Sequence, residues 1–187
     1  MRKKDDEKEK NIKAAVIKLI LHEGFHGTSI SKIAKEAGVS PATLYIYFDS
    51  KEMMLRDIYQ DYAEEIYHYM INSIHHGMNG KQLIEILMRS YYEYIQENEE
   101  IFNFVEQFSH CPSLSCGCAG IQGIFDINHL VSELKANEVI RDYYNENILS
   151  IIFYPVKSIV VDHDKSRSEQ DELLEEMIRI IQNTLLR

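Results

Sequence analysis

Apolar residues recur along the chain at helical spacing, and no stretch shows the alternating pattern of a strand. Ile12, Ala15, Val16, Leu19 and Ile20 form a first stripe that Gly24 ends, behind a mixed-charge lead-in over residues 1–10 that has no apolar period and reads as frayed. Ile30, Ile33, Ala34 and Ala37 form a second, short stripe, with Thr28 before it as a cap and Gly38 after it as a stop. Ser40 and Pro41 restart a third helix, about residues 41–48, that turns Leu44 and Phe48 inward. Ser50 caps a fourth, whose apolar positions run from Met53 through Ile58, Ile66 and Met70 to a break at Gly77. Leu83 to Ile95 and Glu99 to Phe108 give two more. The least regular stretch is 110–123. Helices are then expected near 124–134, over 138–161 with a kink at Pro155, and over 169–186.

The segment from Thr28 to Lys51 carries the most specific local signals. A short helix, a glycine that tolerates the left-handed conformation, an apolar Val39 and a Ser-Pro helix start together read as a helix-turn-helix. Ala34 is small enough for two helices to cross closely. The spacing also allows ordinary helix packing, but the motif has a use if the second helix enters a DNA major groove. Pro41, Ala42, Thr43 and Tyr45 would then face the bases, with Ser40 at the helix start also a candidate DNA contact. Tyr47, Thr28 and Ser29 would reach phosphates, and Lys51 would add positive charge. Arg2, Lys3 and Lys4 read either as a solvated run or as an arm toward DNA.

Phe25-His26-Gly27-Thr28-Ser29-Ile30, Ala37-Gly38-Val39-Ser40 and Leu44-Tyr45-Ile46-Tyr47-Phe48-Asp49-Ser50-Lys51-Glu52 resemble the N-terminal signature of the TetR family of bacterial transcriptional regulators, densely over residues 10–56. The resemblance implies an all-α chain. It has an N-terminal three-helix DNA-binding domain (1–50) and a larger helical effector-binding and dimerisation domain (51–187), linked by the long fourth helix. It implies a repressor that leaves its double-stranded operator when a small molecule binds.

Charge fits that division. The chain of 187 residues carries a net −10, yet residues 1–56 hold 11 Lys and Arg against 8 Asp and Glu. The basic head and acidic body would orient the chain on DNA. No apolar run is long enough for a membrane span or a secretory signal, so a cytoplasmic protein is expected. The last two helices each carry two apolar stripes. One would face the core and the other a two-fold partner, giving a homodimer, although a tightly buried monomer core would also use both.

The second domain is rich in aromatic residues, of which Tyr92, Phe102 and Phe125, with the polar Arg89, Glu106, Gln107 and His110, are candidates to line an effector cavity. Aromatic walls in an acidic body favour a neutral or cationic lipophile over an anion. Cys111, Cys116 and Cys118 beside His110 offer an alternative, a thiol- or metal-responsive regulator. Their spacing is not a standard zinc set, and free cysteines are often small buried apolar residues. No metal or cofactor is therefore assigned. Catalytic signatures such as H-E-x-x-H and G-x-S-x-G do not occur, so no enzyme is expected.

Overall fold

Helices account for nearly all the regular structure. The computed structural model describes residues 2–109 and 121–187, with side chains from residue 6 onward. Among the described residues the helices are α1 (Arg2–Gly27), α2 (Ile30–Glu36), α3 (Pro41–Tyr47), α4 (Lys51–Asn72), α5 (Gly80–Glu97), α6 (Glu99–Ser109), α7 (Gln122–Ala136), α8 (Asn145–Val160) and α9 (Arg167–Leu185). The fold is all-α, and among the described residues the one extended pairing is an isolated bridge between Ile140 and Leu186.

Three boundaries differ from those the sequence pattern suggests. α1 begins at Arg2 and not near Asn11, because its Lys- and Glu-rich start favours helix and is tied down: Lys13 pairs with Glu9 at 2.8 Å and with Asp61 at 2.7 Å. α4 stops at Asn72, short of Gly77. There the Ser73 hydroxyl bonds to Tyr69 O at 2.9 Å, and the Ser73 and Ile74 N–H groups reach back only three residues, to Met70 O and Ile71 O. α8 begins at Asn145 and not at Glu138. Glu138 takes φ 55°, and the residues after it run extended, the Arg141 N–H donating to Leu185 O at 2.7 Å. Pro155 lies inside α8 as expected.

The chain divides into two compact units. The first holds α1 to α3, α4 as far as Ala63, and the segment from Glu100. Ile12, Val16, Ile20, Ile33, Leu44, Met54, Leu55 and Ile58 form its centre, each at most 1% exposed. Burying a side chain of that size contributes about 1.5–3 kcal/mol.

The second unit holds the rest of α4 from Glu64 with α5, α7, α8 and α9. α5 packs on α8 and α9, and α7 on α8. Capping boxes start α5, through Asn79 and Gln82, and α9, through Ser166 and Glu169. α7 has no capping side chain of its own at Ile121. Glu64 of α4 replaces it: the Gly123 N–H lies 3.2 and 3.1 Å from its two carboxylate oxygens. The helices can approach that closely because residue 123 is glycine. A Cβ there would lie 2.2 Å from Tyr67 Cβ.

Candidate nucleic-acid interface

The placement of α2, α3 and α4 follows from how α1 ends. Gly24 takes φ 71°, ψ 175°, which breaks the regular helix and leaves carbonyls at its end without intrahelical donors. Three side chains supply them. The Thr28 hydroxyl lies 2.9 Å from Gly24 O and 3.2 Å from Leu19 O. Lys32 Nζ lies 3.0 Å from Gly27 O and 2.5 Å from the Glu23 carboxylate. Lys51 Nζ donates to Phe25 O and, at 2.6 Å, to Thr28 O, and packs 3.9 Å from the centre of the Phe25 ring.

Two sequence expectations change here. Thr28 is 2% exposed and its hydroxyl is directed inward, so it neither caps α2 nor presents that hydroxyl to a phosphate. Ser29 is the cap, its Oγ accepting the Lys32 N–H at 3.3 Å. In a Thr-Ser pair either residue can cap; the carbonyls left by the Gly24 break decide which one turns in. The Lys51 ammonium, expected to add positive charge toward DNA, is held on two carbonyls and a ring for the same reason.

The turn forms as the sequence indicates. α2 ends at Ala37, and Gly38 takes φ 68°, a conformation that costs glycine no Cβ clash. The Gly38 N–H donates to Lys35 O at 3.3 Å and the Val39 N–H to Ala34 O at 2.9 Å, the paired pattern of a Schellman turn. Ser40 then caps α3, its Oγ accepting the Thr43 N–H at 3.1 Å, with Pro41 at the first helical position. The Ser40 and Thr43 hydroxyl oxygens lie 2.9 Å apart. Leu44, 1% exposed, anchors α3 to the core.

Away from Leu44, α3 presents Ala42, Tyr45 and Ile46 to solvent, Tyr45 at 58% and Ile46 at 81% exposure, and Pro41 at its start is exposed as well. Thr43 and Tyr47 are half-buried, and Ser29 and Ser40 are exposed. Two surface residues near α3 were not singled out from the sequence pattern. One is Ile46; the other is Lys35, exposed in the last turn of α2. Lys18 and Lys32 pair with Glu36 and Glu23 at 2.5 Å, whereas Lys35 makes no ion pair among the described residues. The helical period marks Ile46, two positions after Leu44, as lying off the buried stripe.

The expected effector residues fall in both units. In the second, Arg89 and Tyr92, one turn apart on α5, both engage α9. Arg89 pairs with Glu175 and, at 2.9 Å, with Glu85, while the Tyr92 hydroxyl donates to Asp171 at 2.7 Å. Burial, and then that bond, push the Tyr92 phenol up to about 12. Phe125 on α7 is 55% exposed. In the first unit Phe102 is buried, Glu106 half-buried and Gln107 exposed. His110, Cys111, Cys116 and Cys118 lie outside the described residues. Two depressions of the second unit are lined by none of the expected residues. One, of about 440 Å³, is polar and lies by Lys135, Asp142 and Asn147; the other, of about 470 Å³, is apolar and lies between α8 and α9.

Comparison with known proteins gives the geometry a lineage. Residues 12–58, from α1 into α4, match the family model described as bacterial regulatory proteins, tetR family. The chain belongs to the TetR family. Among TetR-family relatives, the biofilm operon icaADBC negative transcriptional regulator IcaR of Staphylococcus aureus is 31% identical over 134 residues, 70% of this chain and 66% of its own. The curated relatives are matched over a third to two thirds of their own length. A TetR family transcription regulator from Marinobacter aquaeolei VT8 superposes with a TM-score of 0.86 at 23% identity, covering 100% of this chain and 99% of its own. FadR from Bacillus subtilis, solved in complex with stearoyl-CoA, gives 0.71 at 20% identity over 90% and 96%. These two likenesses establish the TetR-family fold along the chain. The matched 12–58 segment contains the Gly24 break, the Gly38 turn and the exposed face of α3.

Proposed function

We propose that the chain is a transcriptional repressor that binds double-stranded operator DNA as a homodimer and is released by a small-molecule effector. The observation that carries this reading is the pair α2 and α3, joined by the Gly38 turn, with Leu44 buried and the opposite face of α3 bare. A second helix displayed in this way enters the major groove with its N-terminal residues at base edges. Ser40, Pro41, Ala42, Thr43 and Tyr45 take that role. Ser29, Tyr47 and Lys35 contact phosphates, while Thr28 and Lys51 hold the shape of the motif from inside. The names of the relatives, regulators all, support the same reading.

A second copy covers the outer face of α8 and α9. Tyr154 and Ile180 are 60% and 49% exposed there, on either side of the apolar groove lined also by Ile151, Pro155, Met177 and Ile181. A two-fold pair brings two copies of α3 to the half-sites of a palindrome. The effector is a lipophile. The aromatic, acidic body favours a neutral or cationic one, whereas the stearoyl-CoA held by FadR carries anionic phosphates. A long-chain acyl thioester is the first probe because a relative of the same fold holds one. No cofactor and no catalysis are assigned, and the protein works in the cytoplasm, where its DNA is. No helix among the described residues is long and apolar enough to cross a membrane.

Footprinting the protein on the DNA that flanks its own coding region tests the proposal. The expected result is protection of two symmetry-related half-sites, relieved by the effector. Absent or sequence-independent protection would overturn it. If protection occurs but stearoyl-CoA does not relieve it, only the choice of probe fails.

A further inference from the structure

The chemistry of α3 narrows what it reads. Its residues, Pro41-Ala42-Thr43-Leu44-Tyr45-Ile46-Tyr47, include no Arg, Lys, Asn, Gln, Asp or Glu. The bidentate pairs that distinguish guanine and adenine in the major groove therefore have no partner on this helix. Apart from the Tyr45 and Thr43 hydroxyls, what the helix presents is apolar. Ala42, Tyr45 and Ile46 share one face at i, i+3 and i+4, opposite the buried Leu44. Ile46, at 81% exposure, is the most exposed large hydrophobic among the described residues.

A single exposed isoleucine is ordinary on a protein surface. Its position gives this one a role. In the major groove the one apolar group on a base edge is the C5-methyl of thymine. We infer that the operator is read through thymine methyl groups and that Ile46 is the residue selecting them, an inference that rests on the DNA-binding reading above. The occupant of this face is DNA and not a second protein surface, because the neighbouring charge is complementary to phosphate. Residues 1–56 hold 11 Lys and Arg against 8 Asp and Glu, and Lys35 stands exposed without an ion pair among the described residues. Phosphate contacts supply affinity without sequence information, so selectivity rests on α3, where the apolar face acts beside the Thr43 and Tyr45 hydroxyls. Ile46 contributes nothing to the core, which makes it separable from folding.

The test uses the full chain and random-sequence duplexes. Duplexes enriched by binding are resynthesised with deoxyuridine replacing thymidine one position at a time, which removes the methyl and leaves base pairing intact. Affinities are measured at one salt concentration for wild type and Ile46→Ala, whose thermal midpoint should equal that of wild type. At one or two positions per half-site, losing the methyl should weaken wild-type binding about fourfold, the worth of one buried methyl. Ile46→Ala should bind the thymine and uracil duplexes equally at those positions, so that the two losses do not add. Additive losses, enriched duplexes insensitive to uracil at every position, or half-sites without thymine would overturn the inference while leaving the DNA reading intact. Failure to enrich any sequence would overturn both. Self-association that Ile46→Ala abolishes would assign this face to a second copy instead, and so would also overturn it.

Discussion

Lys51 at the start of α4 places its ammonium 3.9 Å from the centre of the Phe25 ring and donates to Phe25 O and Thr28 O. One side chain thus joins the irregular end of α1, the residue before the α2 cap, and α4. Charge-assisted hydrogen bonds to partly buried carbonyls contribute about 1.5–3 kcal/mol, and removing the donor leaves those carbonyls unpaired. Lys51→Met should lower stability by roughly that amount. It should leave the dependence of DNA affinity on salt unchanged, because this ammonium is not placed on phosphate. Chemical unfolding and a salt titration measure the two. A salt slope reduced by about 1 with unaltered stability would put Lys51 on DNA.

Gly123 faces Tyr67 so closely that any Cβ must displace one of the two helices. Gly77 has φ 87° and nothing within 4 Å of where its Cβ would be, so there the backbone alone resists substitution. Gly77→Ala should cost about 1 kcal/mol. Gly123→Ala should cost more, up to about 3 kcal/mol, as overpacked sites do. Equal losses in urea unfolding would mean that α4 and α7 are not in contact at residue 123.

How much of this was legible in the sequence depended on how local each cause was. The Gly38 turn, the Ser40 cap and Pro41 at the first helical position all act within a few residues, and all three stand as read. Whether Thr28 or Ser29 capped α2 was settled by the carbonyls of Leu19 and Gly24, and the task of Lys51 by Phe25, 26 positions away. The cap of α7 comes from Glu64, 59 positions earlier, which no pattern around Ile121 announces. α8 begins late because Leu185 and Leu186 pair with the chain ahead of it. Aromatic residues mark a core and a ligand cavity alike, so composition alone did not separate Phe102, which is buried, from Phe125, which is exposed.

Tyr92 links stability to alkaline pH. A tyrosine is neutral while protonated, and burial with the bond to Asp171 raises its pKa from the ordinary 10 to about 12. The stability it contributes is therefore complete below pH 10 and is lost as pH rises from 10 through 12. Tyr92→Phe should weaken the protein at neutral pH by removing the bond to Asp171, and should flatten the decline between pH 10 and 12. Urea midpoints against pH for both proteins check this; parallel curves would show that Tyr92 is not held neutral by the fold.

The central claim is that α3 reads sequence, and the most direct measurement of it is the affinity of wild type, Thr43→Ala and Tyr45→Ala for the footprinted duplex and for a scrambled duplex at the same salt concentration. The account predicts that each substitution weakens binding to the footprinted duplex by about 1–3 kcal/mol and to the scrambled one by much less. Equal losses on both duplexes would contradict it.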